Sequence, residues 1–404
     1  MLTPCEIPDI YLPVEDRLFL ETVAKFVDRV IVPARQEIEK DTDHKVVNEI
    51  LDGLCGLGLF RAMFPSKYGG TGFPSVISSV LARGEVARGD CGIYVAWSVT
   101  GWAFQPALNA RNHTICRTFM PDFCGDKHRN ACFAMTEPAG GCDIENVDVL
   151  HGGTIRTKAE RKGDQWVING TKRFASNSGV ADLYCVVCRV PDVAGDDGIA
   201  IIYVPADSKG LTCGQFENKA GMHADRNCDV FFDNVSVPFE YRAGGPGVDA
   251  KLLRTNLTTG RLNSAAAALG AARGVFERLL QYTSERVVQG KPIREHSICA
   301  GILADMAIGI ETAFAYTLQS TYMLTQSKLY GEPSSSSQLA RASMAKVYAT
   351  DVANMVTNRA MELMGSYGYM REYEVEKTWR DVKEIQLWLG GSQLARLDIT
   401  RAYS

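Results

Sequence analysis

The chain has 404 residues, 46% hydrophobic and 22% charged, with a formal net charge of −4. That length exceeds one small core and points to two or three domains. The near balance of charge, with no long basic run, argues against nucleic acid or an anionic membrane surface as the main partner. No apolar run reaches the roughly 18 residues of a membrane helix, and MLTPCEIPDI lacks a signal-peptide pattern, so a cytoplasmic protein is expected.

From Pro13 to about Asn112 the pattern is helical. EDRLFLETVAKFVDRVIVPARQEI spaces its apolar residues by three and four, VVNEILDGLCGLGLF does so before a glycine stop, and SVISSVLARGEVAR resumes after the loop PSKYGGTGF. Residues 1–128 are read as an N-terminal helical domain. Between 129 and 243 the texture changes to short runs rich in Val, Ile, Tyr and Phe: DQWVING, LYCVVCRV, GIAIIYVP and CDVFFDNVSVP. Asn-Gly, Gly-Asp and Asp-Asn turns separate them, which predicts an antiparallel sheet or small barrel. After AGGPGVDA, residues 244–404 are read as a bundle of four long helices, at about 250–289, 296–328, 335–365 and 375–402. Near the end, WLGGSQLAR bends at Gly390-Gly391, with Ser392 as the expected N-cap of the next helix.

The twelve cysteines are scattered. One pair, Cys185-x-x-Cys188, has metal or redox spacing, but it lies in a run that reads as a buried strand, so no metal site is expected. FAMTEPAGGCD (133–143) ends a strand and turns through glycines, offering backbone N–H groups to a phosphate or a flavin edge.

WVINGTKRFASNSGVADLYCVVCRV, KAGMHADRNCDVFFDNVSVP, GRLNSAAAALGAARG, YTSERVVQGKPI and GSYGYMREYEVEKTWRD follow that stretch in order. Together the six segments resemble the acyl-CoA dehydrogenase family over nearly the whole chain. The resemblance implies an α-helical N-terminal domain, a β-barrel and a C-terminal four-helix bundle, with FAD as cofactor. It also implies an oxidoreductase acting on the CH–CH group of an acyl-CoA, a homotetramer or at least a dimer, and an electron-transfer flavoprotein as acceptor.

Carried over residue by residue, the resemblance puts Thr136 on the flavin ring and Cys142 where a serine usually meets the flavin phosphate and the substrate. Phe174 replaces a tryptophan beside the flavin. Ser176 replaces a threonine near its reactive nitrogen and keeps a donor hydroxyl. Arg286 matches an arginine that reaches the FAD pyrophosphate across a subunit contact. Gln289 replaces an aromatic residue, Glu362 a glutamine near the adenosine half, and Gly391 a flavin-contacting Thr or Ser. Phe133, Met135, Gly141, Gly365 and Gln393 complete the implied cofactor set. Arg261, Tyr94, Trp388, Leu389 and Gly390 are implied on the substrate side.

The same alignment puts Leu389 at the place of the family's catalytic glutamate, and Gly260 at the alternative place used by some branches. Both lack a carboxylate. Asp90, Glu85, Tyr94 and Glu384 are then the candidates for a substitute base. A lyase whose substrate forms its own carbanion by losing carbon dioxide or sulfite needs no base, and neither does a non-catalytic FAD- or CoA-binding paralogue. Relatives that act on nitroalkanes or oxygen often lack the glutamate too, but the TEP motif, Arg261 and the Tyr-Gly-Tyr turn favour a CoA thioester. Tyr94 stands where a glutaryl-type enzyme has an arginine, so a distal carboxylate is not expected. A backbone N–H at Leu389 could still hold the thioester oxygen. The reading is oxidation of a bulky, cyclic or branched acyl-CoA to a 2,3-enoyl-CoA.

Overall fold

The computed structural model describes residues 7–404. Helix α1 (Val14–Phe26) runs through a π-helical turn into α2 (Val32–Ile38), followed by α3 (Lys45–Gly56), α4 (Val76–Gly89), α5 (Cys91–Asn109) and α6 (His113–Phe119). A capping box starts α4: the Ser75 hydroxyl accepts from the Ser78 N–H at 3.0 Å, and the Ser78 hydroxyl accepts from the Ser75 N–H at 2.9 Å. Asp90 caps α5, its Oδ1 accepting from the Ile93 N–H at 2.9 Å. Apolar residues circle most of α5, and accordingly it is buried on nearly every side.

The middle of the chain forms a curled seven-stranded sheet of β1 (Ala131–Ala134), β2 (Lys158–Lys162), β3 (Gln165–Lys172), β4 (Leu183–Arg189), β5 (Ile199–Pro205), β6 (Leu211–Cys213) and β7 (Val230–Pro238). The order is β1-β4-β2-β3-β7-β6, with β5 also paired to β4. It is mixed rather than purely antiparallel, because β1 lies parallel to β4 with Ala131 opposite Leu183. Strand β4 packs on both faces, so Cys185 joins the cluster beneath α5 while Cys188 joins the opposite one. An odd spacing on a strand sends two side chains to opposite faces, which is why this pair cannot converge on a metal. Two short helices, α7 (Cys142–Glu145) and α8 (Val147–Leu150), follow β1.

The C-terminal bundle contains α9 (Val248–Glu285), α10 (Ser297–Thr325), the short α11 (Ser327–Tyr330), α12 (Ser336–Met364), the short α13 (Ser366–Tyr369), α14 (Val375–Leu387) and α15 (Gly391–Arg401). The segment expected as one helix over 375–402 is therefore two. Helix α9 crosses α4 on bare backbone: a Cβ on Gly270 would fall 1.8 Å from the Gly84 carbonyl oxygen. Helix α10 is long and apolar enough to cross a membrane by length and composition, although it carries Asp305 and Glu311; here it packs against α9 and α12. Ile298 and Ile308 remain exposed on it.

Candidate active site

Where the three regions meet, α5, the loop after β1, the segment 174–176, α9 and residues 388–389 border an open cleft. Its apolar wall comes from Val95, Val99, Trp102, Phe133, Trp388 and Leu389. Met135, Thr136, Phe174 and Ser176 line it from the sheet side, and Tyr94 from α5.

The TEP turn is held rigidly. Lys172 and Glu137 form a fully buried pair at 2.8 Å, Lys172 also donates to the Met135 carbonyl at 2.8 Å, and the Arg173 N–H donates to the Thr136 carbonyl at 2.8 Å. The Glu137 carboxylate accepts from the Arg156 and Thr157 N–H groups at 2.7 and 2.9 Å. Burial pushes the Glu137 carboxyl up, but Lys172 and these donors outweigh it and hold it below the usual range. Phe174 is 55% exposed with the Arg173 guanidinium 4.7 Å from its ring centre. The Ser176 hydroxyl donates to Asp225 at 2.9 Å, so its one proton is directed to that carboxylate rather than into the cleft.

The opposite wall is the break between α14 and α15. Leu389, Gly390 and Gly391 have φ of 52°, 81° and 61°, three left-handed residues in a row. A leucine there costs about 1–3 kcal/mol unless its surroundings impose it. Lys346 imposes it from α12, donating to the Gln386 and Trp388 carbonyls at 2.7 and 3.1 Å, while the Trp388 indole N–H donates to the Ser264 hydroxyl of α9 at 2.8 Å. Helix α15 takes Gly390 as N-cap instead of Ser392, whose hydroxyl is buried without a partner among the described residues. Among the described residues no acceptor takes the Leu389 N–H.

Leu389 and Gly260 face each other: a Cβ on Gly260 would lie 3.0 Å from Leu389 Cδ1. Of the four candidate bases only Tyr94 reaches the cleft, and burial pushes its phenol up to about 12. Asp90 is spent on the α5 cap and on Lys377 at 2.7 Å. Glu85 pairs with Arg88 and Arg273. Glu384, whose carboxyl burial pushes up to about 7, lies one turn before Trp388 and does not line the cleft.

A carboxylate absent from those candidates does line it: Glu145, at the end of α7. Its Oε2 is buried without a hydrogen-bond partner among the described residues, and a Cβ on Gly390 would come within 2.8 Å of that oxygen. Burial is the largest influence and pushes this carboxyl up to about 7, against the pull of Arg261 and Lys346. Arg261 is fully buried behind the cleft, with its Nη1 2.6 Å from both Ser343 Oγ and Asp398 Oδ2.

The remaining predicted residues are placed elsewhere. Gly141 packs under Thr136, and Cys142 is exposed at the start of α7. Gln393 is exposed on the first turn of α15, beside Gly391. Arg286 caps the far end of α9, about 39 Å from Gly260 at 1.5 Å per residue. It stacks over Tyr367 at 5.5 Å, close to Gly365 at the end of α12. Gln289 occupies the left-handed turn between the short strands Val287–Val288 and Lys291–Pro292, and Glu362 is an exposed partner of Arg359.

Three family descriptions cover the chain: acyl-CoA dehydrogenase N-terminal domain over 13–125, middle domain over 132–235 and C-terminal domain over 250–404. The chain belongs to the acyl-CoA dehydrogenase family. It is 30% identical over 387 residues to cyclohexane-1-carbonyl-CoA dehydrogenase of Geobacter metallireducens, covering 96% of this chain and 97% of that one. The solved structure of butyryl-CoA dehydrogenase from Megasphaera elsdenii is 29% identical with a TM-score of 0.86, covering 97% and 98%. A structure described as the electron transferring flavoprotein of Acidaminococcus fermentans is 28% identical with the same TM-score of 0.86, again covering 97% and 98%.

Acyl-CoA dehydrogenases are FAD-dependent flavoprotein oxidoreductases that act on the CH–CH group of an acyl-CoA, and this chain is one of them. The cleft fits an isoalloxazine ring: an exposed aromatic face at Phe174, the rigid turn at Thr136 and the hydroxyl of Ser176 border the same open space.

Proposed function

We propose that this acyl-CoA dehydrogenase oxidises a branched or cyclic acyl-CoA to its 2,3-enoyl-CoA. The observation that carries this reading is the pairing of Gly260 with Leu389. At both places where the family resemblance expects a glutamate, the cleft has instead an absent side chain and an aliphatic one, next to Trp102 and Trp388. Two such changes leave apolar width near the reacting carbons, which suits an acyl group thicker than a straight chain. The named activity of the Geobacter relative, on a cyclohexane-carbonyl thioester, points the same way.

The residues have separable tasks. Met135, Thr136, Phe174 and Ser176 hold the flavin, and FAD when bound supplies the two-electron oxidant. The free Leu389 N–H takes the thioester oxygen and stabilises the negative charge that develops on it. Trp388 and Leu389 exclude water from the acyl end.

We propose further that the FAD site is completed by a second copy of the chain. Arg286 and Gln289 project from the far end of α9, about 39 Å from the cleft, and the apolar Val287, Val288, Ile298 and Ile308 lie exposed around that end and along α10. A homotetramer, or at least a dimer, covers this surface. An electron-transfer flavoprotein would be the partner that accepts the electrons the enzyme takes from its substrate. Anaerobic mixing with butyryl-, isobutyryl- and cyclohexane-1-carbonyl-CoA tests the reading: bleaching of the flavin is expected, fastest with a branched or cyclic thioester. Bleaching by none of them, with product formed without flavin reduction, would favour a lyase.

A further inference from the structure

We infer that Glu145 is the base of this enzyme, a carboxylate delivered to the acyl cleft from α7 in place of the ones absent at Leu389 and Gly260. The inference deepens the proposed dehydrogenase reading and rests on it.

The geometry singles out this residue. Of the acidic side chains named above, only Glu145 borders the cleft, and it shares that wall with Gly260 and Leu389. Its Oε2 lies against the backbone of Gly390, the residue after Leu389. The carboxylate therefore occupies the neighbourhood of the Leu389 side chain although it comes from a different element. A buried carboxylate kept for structure is normally hydrogen-bonded; Oε2 has no such partner among the described residues. Arg261, the cation that acts most strongly on it, is engaged elsewhere. Arg261 spends Nη1 on Ser343 and Asp398, and its Nε and Nη2 are themselves buried with no partner among the described residues. A costly arrangement of this kind is what an acid–base group needs, since an unpaired carboxylate keeps its lone pairs for the substrate.

The charged groups around Glu145 come from four elements: Asp143 on its own helix, Arg261 on α9, Lys346 on α12 and Asp398 on α15. The two cations favour the carboxylate, the two acids oppose it, and burial dominates, leaving the group poised at about 7. That is close to the optimum for a base at neutral pH.

The step balances with the family's activity. The Cα–H proton passes to a Glu145 carboxylate oxygen, and the electron pair of that bond becomes the π bond between Cα and Cβ. The Cβ hydrogen leaves with its electron pair to the FAD oxidant. Glu145 later returns its proton to water.

The experiment compares the holoenzyme with Glu145→Gln, which keeps the shape, and Glu145→Asp, which withdraws the carboxylate by one carbon. The thioester used is whichever of butyryl-, isobutyryl- and cyclohexane-1-carbonyl-CoA raises the parent's melting temperature most. Two readouts are taken: flavin bleaching, and incorporation of solvent deuterium at Cα measured by mass spectrometry of the recovered thioester. Glu145→Gln is expected to lose about 10²–10⁴-fold in both, with flavin content and melting temperature no lower than the parent's. Glu145→Asp is expected to recover part of both. The parent's kcat/KM should rise with pH through about 7, and the residual rate of Glu145→Gln should not. A parent that exchanges α-deuterium beside a Glu145→Gln variant that exchanges equally overturns the assignment and leaves the dehydrogenase reading intact. A parent that neither exchanges nor bleaches overturns both.

Discussion

The indole of Trp388 is tied to Ser264 by a 2.8 Å hydrogen bond, and Ser264 in turn donates to the carbonyl of Gly260, also at 2.8 Å. The strained loop at 388–391 is thus moored to α9 at the place where the helix lacks a side chain. Trp388→Phe keeps the apolar face but cuts the mooring. A stability loss of about 1 kcal/mol is expected, with a several-fold slower flavin bleaching because the Leu389 N–H is less well held. Thermal denaturation and stopped-flow absorbance of the same preparation check the pair of effects.

Gly260 and Leu389 should behave as one unit. Alanine at Gly260 improves helix propensity by about 1 kcal/mol but presses on Leu389 Cδ1 at 3.0 Å. The two roughly cancel, so stability should move by less than about 1 kcal/mol while turnover of a cyclic thioester falls. Leu389→Ala in the same chain should restore that turnover, which a double-mutant cycle on kcat/KM measures.

A carboxylate introduced at either place should lower activity on the natural substrate. In Leu389→Glu or Gly260→Glu the new group sits near Glu145, and two close carboxylates raise one another's pKa. At most a weak gain with straight-chain thioesters is expected in a bleaching assay over the acyl-CoA panel. Strong activation of either variant on the natural substrate would contradict the assignment of a working base elsewhere.

Glu145 should also show itself in the pH dependence of stability. Its folded-state carboxyl is raised to about 7 from 4.5. Below pH 4.5 it is protonated in both states and contributes nothing. As pH climbs from 4.5 to 7 the unfolded group ionises first, so the native state is penalised, by about 3 kcal/mol in all. Above 7 the penalty is constant. Glu145→Gln removes the titration, and its melting temperature relative to the parent should therefore climb between pH 5 and 8. An unchanging difference would mean the carboxyl titrates normally.

Arg286→Ala tests the shared cofactor site. Losing one charge-assisted contact costs about 1.5–3 kcal/mol, a tenfold or greater fall in FAD affinity, although the residue lies far from the cleft of its own subunit. Flavin absorbance after dialysis, with light scattering to confirm the assembly, reads it directly.

Sequence periodicity was enough to place α4, α9, α10 and α12 to within a few residues, because each buries a long apolar face, while α5 was legible only as part of a helical stretch reaching to about Asn112. The glycine pair marked the bend at Gly390-Gly391, but nothing local showed that Leu389 is left-handed too or that Gly390, not Ser392, caps α15. A Leu in the left-handed region violates local preference and is held there by Lys346, some forty residues away on another helix. Asp90 stood among the candidate bases; its helix cap and its pair with Lys377 are contacts that no local pattern discloses. Glu145 went unnoticed for the converse reason. It follows a glycine turn already accounted for by the flavin, and its burial depends on α9, α12 and α15 closing over a four-residue helix. The signal available was a second acid just beyond the glycine turn, in CDIENV, and it is a weak one.

The crossing of α4 and α9 at Gly84 and Gly270 bears on how this enzyme can diversify. With backbone resting on backbone there, α9 cannot approach α4 more closely, and even one added methyl would overlap the Gly84 carbonyl and force the two helices apart. Helix α9 also carries Gly260, Asn263 and Ser264 along the cleft. Acyl preference must then evolve by exchanging individual side chains along a stationary rail. Small steps at Gly260, Leu389 and Trp102 are the accessible routes to new substrates, and the helix seam is the part that lineages with different substrates should hold in common.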